Sequence, residues 1–164
     1  MTEMFFLLVV LLAAVLQGTV LNAFRFFWVR PDILLALTVI ASLTLRPRLA
    51  LLSALLAGFL KDSLGVYLFG INTLFFPLWS LVIIRLKKEI SVESNQLIPL
   101  AILVIICILN NLVIRLIFFS FGGLTLPAGI FLRTVIIEAS YTGLLFPLLV
   151  KAVKPIVVSS EHKK

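Results

Sequence analysis

The chain has 164 residues, 62% of them hydrophobic and 13% charged, with a formal charge of +7 and a mean hydropathy of +1.25. Soluble domains carry about 25% charged residues, so this composition belongs to a membrane protein. It leaves no room for a soluble catalytic domain, because the longest hydrophilic run between apolar blocks is Arg85 to Asn95. The positive charge does not signal nucleic acid: the basic residues come in ones, twos and threes between apolar blocks and form no stripe that could track phosphates.

Six apolar blocks follow one another in the chain. The first, residues 4–24, is uncharged and long enough to cross a hydrocarbon core of about 30 Å. Only Glu3 precedes it, so it has no basic leader region and is expected to stay as the first transmembrane helix. Arg25 and Arg30 close it around the interfacial aromatics Phe26, Phe27 and Trp28. The second block, 31–45, opens with the helix-start pair Pro31-Asp32 and ends before Arg46 and Arg48. The third, 49–62, ends at Lys61-Asp62. Both are short for spanning helices, which leaves room for snorkelling arginines, a thinned bilayer or a re-entrant element.

The fourth block, 68–85, has Gly65 and Gly70 before it or at its start and Pro77 inside it, a turn followed by a kinked helix. The fifth, 97–119, and the sixth, 127–150, flank a turn at Gly122-Gly123, and residues 151–164 form a polar tail. Runs such as LLVVLLAAVL do not alternate, so a β-barrel is excluded. The expected fold is all-α: a single polytopic membrane domain over 1–150, built as a six-helix bundle. Arg46, Arg48, Arg85, Lys87, Lys88, Lys151, Lys154, Lys163 and Lys164 fall on one side, against Arg25, Arg30, Lys61, Arg115 and Arg133 on the other. That bias places both termini in the cytoplasm, with the tail as a cytoplasmic segment.

Few residues could carry chemistry. Glu138 sits in the middle of block six, with Thr134, Tyr141 and Thr142 about a turn away; Cys107, Asn110, Asn111 and Arg115 make a second polar stripe in block five. A turn at Gly122-Gly123 brings Cys107 level with Glu138 and Asn111 beside Thr134. Such a set reads as a proton relay or polar substrate pocket, or as interhelical glue, and a single acid at that depth favours glue. Asp62 reads equally as a partner contact or as a capped helix end. Ala14 and Gly18, four apart, allow close helix approach. Lone Cys107 and His162 offer no disulfide and no metal site, and no nucleophile–base–acid set, P-loop or dinucleotide motif appears. No cofactor is expected, and the chain reads as a non-enzyme.

Three short motifs carry a resemblance: Pro31-Asp32-Ile33-Leu34-Leu35, then Gly58-Phe59-Leu60-Lys61-Asp62, then Leu68-Phe69-Gly70-Ile71-Asn72-Thr73. Their order, in a chain of this length with six apolar blocks, resembles the bacterial rod shape-determining protein MreD. Lys61 departs from the small or apolar residue expected before that aspartate. The resemblance implies a non-enzymatic inner-membrane subunit of the cell-wall elongation machinery, involved in rod shape and peptidoglycan synthesis. Its implied partners are the bitopic protein MreC first, then the glycosyltransferase RodA, a class B penicillin-binding protein and the actin-like MreB. It also implies a fold similar to the substrate-binding subunits of energy-coupling-factor vitamin transporters. A small-molecule-binding transporter subunit is therefore the alternative, with Asn110, Asn111, Arg115 and Glu138 lining a pocket. For a scaffold, the expected contact features are Ala14 and Gly18, the Gly58 to Asp62 end, and the basic segment Arg85 to Lys88.

Overall fold

The computed structural model describes residues 2–19, 29, 31–65, 69–89, 97–121 and 127–158. Within them the chain forms six helices: α1 (Thr2–Gly18), α2 (Ile33–Thr44), α3 (Pro47–Leu64), α4 (Ile71–Glu89), α5 (Leu97–Ser120) and α6 (Ala128–Val158). The aromatic cluster at 26–28, Arg25, Arg30, the Gly122-Gly123 turn and the end of the tail lie outside the described residues.

The boundaries follow from local chemistry. Asp32 caps α2, its carboxylate accepting the Leu35 N–H at 3.1 Å. Leu45 and Arg46 are extended, as the residue before a proline must be, and Pro47 then opens α3 at its first turn, where a missing N–H costs nothing. Gly70, at φ +102°, takes a backbone conformation closed to other residues and turns the chain into α4. That helix continues through Pro77, which leaves the Thr73 carbonyl without its intrahelical donor. At the other end, α6 runs on to Val158 rather than stopping at 150, with Val153 still buried, so the expected tail begins as helix.

The centre of the fold is α2. Although it has only 12 residues, the ten from Leu34 to Leu43 are all buried, and the helix packs against each of the other five. At 1.5 Å per residue it rises about 18 Å, well short of a membrane core of about 30 Å. Its shortness has a physical reason. A helix wrapped in protein does not have to match the thickness of the lipid, and backbone beyond its ends can be satisfied by neighbouring helices. Its hydroxyls are satisfied too: Thr38 donates to the Leu34 carbonyl at 2.9 Å, and Ser42 contacts the Thr38 carbonyl at 2.7 Å and Ser80 Oγ of α4 at 2.8 Å. The exposed large apolar side chains lie on the other five helices or at their ends. Of these, α5 and the Ala128–Val153 part of α6 are long and apolar enough to cross a membrane, while Phe6–Gly18 and Ile33–Thr44 are shorter apolar helices.

Candidate functional site: a buried ionic cluster

The N-terminus of α2 opens beside Thr142, near the midpoint of α6, and charged and polar side chains from three helices and the turn before α2 gather there. The Asp32 backbone N–H donates to Thr142 Oγ1 at 3.0 Å, and the Leu34 N–H donates to Gln17 Oε1 of α1 at 3.2 Å. Two of the free amides of the first turn are thus satisfied by side chains from elsewhere in the bundle. The second Asp32 carboxylate oxygen forms an ion pair with Lys61 Nζ, reaching in from the last turn of α3. The Lys61 ammonium also lies 5.1 Å from the centroid of the Phe76 ring in α4, a cation–π contact. A cavity of about 50 Å³ adjoins the pair, lined by Gln17, Pro31, Asp32, Lys61, Leu64 and Glu138. Glu138 therefore belongs to this cluster, within electrostatic reach of Lys61 and of Cys107.

Asp62, next in sequence to Lys61, faces the other way and holds a different joint. Its carboxylate accepts five hydrogen bonds: from the N–H groups of Gly70 (3.0 Å), Asn72 (3.1 Å) and Thr73 (2.8 Å), the Asn72 amide (2.8 Å) and the Thr73 hydroxyl (2.7 Å). It caps the start of α4 from the end of α3. One turn earlier on the same face is Gly58, where a Cβ would lie 2.4 Å from the Asn72 carbonyl oxygen. The α3 backbone touches the α4 backbone at this point. Both side-chain positions are enclosed in the α3–α4 joint and not presented outward.

The remaining sequence candidates fall in separate places. Ala14 is buried, and a Cβ on Gly18 would meet Leu64 of α3 at 3.0 Å, so the small pair sets the approach of α1 to α3. Asn110 turns towards α4, where its Oδ1 accepts from Trp79 Nε1 at 3.1 Å. Asn111 bonds back to the Cys107 carbonyl at 2.9 Å, and the Arg115 guanidinium stacks 4.3 Å from the centroid of Phe131. Arg85 is exposed and Lys87 half-buried at the end of α4, while Lys88 has no described side chain. Of the stripe in α5, Asn110 thus serves α4 and Asn111 its own helix, while Glu138 of α6 lines the cavity at Asp32 and Lys61.

Sequence reasoning took Asp32 for a helix-start signal and overlooked its pairing with Lys61. A signal was present: blocks two and three are of similar length about a turn at 45–46, which brings a charge at 32 level with one at 61.

In comparison with known proteins, a family model described as rod shape-determining protein MreD matches residues 1–155. Neither the curated proteins nor the solved structures include a match to this chain.

Proposed function

The chain belongs to the MreD family of rod shape-determining membrane proteins, and from that premise we propose that it is a non-enzymatic scaffold whose lipid-facing helix surfaces dock the transmembrane segments of partner proteins. The observation that carries this reading is the family match over nearly the whole chain, in a protein whose described residues lie almost entirely in helices. Its exposed surface supports it. Large apolar side chains run down α1 (Leu8, Leu12, Val15), α4 (Leu74, Leu78, Leu81) and α5 (Ile105, Leu112, Leu116). In lipid such surfaces gain little from burial alone, so docking depends on shape and close packing between helices.

The family works in general with MreC and MreB; for this chain MreC is the first proposed partner, followed by RodA, a class B penicillin-binding protein and MreB. The proposed setting is the bacterial inner membrane, crossed six times with both termini in the cytoplasm, on the strength of the nine-to-five distribution of basic residues. A vitamin-type binding subunit has less in its favour. Its pocket would need roughly 300 Å³ or more, and the polar cavity at Asp32 and Lys61 is about 50 Å³.

Depletion and capture test the proposal. Rod-shaped cells depleted of this protein should round up, and the tagged chain should bring down MreC from solubilised membranes. Cells that keep their shape, with no MreC in the eluate, would contradict it.

A further inference from the structure

We propose that the cavity beside the Asp32–Lys61 pair is a bound-water site that joins Glu138 of α6 to the ion pair of Asp32, before α2, with Lys61 of α3. The inference is independent of the docking reading and rests on the chemistry of the cavity wall. Gln17, Asp32, Lys61 and Glu138 line it with an amide, two carboxyl groups and an ammonium, alongside Pro31 and Leu64. Asp32 is almost completely enclosed, at 2% exposure.

Taking a carboxylate out of water costs several kcal/mol after relaxation, and Asp32 has the Lys61 ammonium and the Leu35 N–H in return. Lys61 has three donors, of which the ion pair takes one. A cavity holds water when it is polar and offers more than about 10–15 Å³ to the centre of a water molecule. At about 50 Å³ this one has room for water and far too little for a lipid headgroup or vitamin-sized solute. Water here completes the coordination of Lys61 and reaches the Glu138 carboxyl, tying the middle of α6 to the first turn of α2. By contrast, the buried run from Leu34 to Leu43 packs side chain against side chain, with its hydroxyls bonded to protein.

Radiolytic hydroxyl-radical footprinting of the full chain in lipid vesicles tests this, because bound water labels adjacent side chains even when they are buried. Pro31 should be modified at least several-fold faster than the equally buried leucines of α2. Glu138→Gln, which keeps polar atoms in place, should preserve that labelling, and Glu138→Leu, which replaces one polar wall of the cavity with apolar atoms, should lower it several-fold. Labelling of Pro31 no faster than α2 in the wild-type protein would overturn the proposal. So would labelling that persists unchanged in Glu138→Leu.

Discussion

Gly58 and Asp62 fix the joint between α3 and α4 by two different means, close backbone approach and capping. A Cβ at 58 would stand 2.4 Å from a backbone oxygen that cannot rotate away. Gly58→Ala should therefore separate the two helices and cost about 1–3 kcal/mol or more, as overpacking does, seen as a lower thermal midpoint in detergent. Asp62→Ala strands three backbone donors at the start of α4. The Asn72 N–H is buried, and a buried unsatisfied group costs about 1–3 kcal/mol, so this variant should destabilise about as strongly as Gly58→Ala; a midpoint unchanged from wild type would contradict the capping role. The Asp32–Lys61 pair has its own signature. Lys61→Met alone leaves a buried carboxylate without its ammonium and should cost about 3–5 kcal/mol, whereas Asp32→Asn with Lys61→Met should recover most of the loss. Asparagine still caps the helix, so a double variant as unstable as the single one would show that the pair is not what Lys61 contributes.

Among the elements, α2 departs most from what its sequence suggested. Its composition was legible, and so were its start at Pro31-Asp32 and its end before Pro47. Its place was not, because an uninterrupted apolar stretch looks the same facing lipid or facing protein. The length of the block was the clue: 12 helical residues are too few to match the thickness of a bilayer by themselves, and they need not match it when five helices surround them. The consequence is an asymmetry in tolerance. Ala36 and Ala41 are fully enclosed, and replacing either with Leu should cost about 1–3 kcal/mol through overpacking. Leu112→Ala on the outer face of α5 should change the thermal midpoint little, since its side chain meets lipid in either case. Equal effects at the two kinds of position would mean that α2 is not enclosed.

For the whole molecule, the sequence disclosed class and layout: the helical content, the order of the six apolar blocks and the family resemblance all came from patterns of charge and hydrophobicity. The joints were less legible. Lys61 and Asp62 are adjacent in sequence yet point to different helices, which no periodicity reveals without knowing which blocks are neighbours. Ala14 and Gly18 suggest a close-packing surface in the sequence, and in the structure Gly18 lies against Leu64 of α3 in the same chain. Buried Cys107, the sole cysteine, gives a direct check on the packing. A maleimide should leave it unmodified in the native protein and react after denaturation, whereas rapid native labelling would place α5 outside the bundle.

If function resides in outward helix faces, it must be separable from the inward architecture. Tryptophan replacement of each exposed apolar stripe in turn, on α1, α4 and α5, with MreC capture measured beside the thermal midpoint, puts this to the test. At least one stripe should lose MreC and rod shape while the midpoint stays at the wild-type value. Retention of MreC by every stably folded stripe variant would contradict the account.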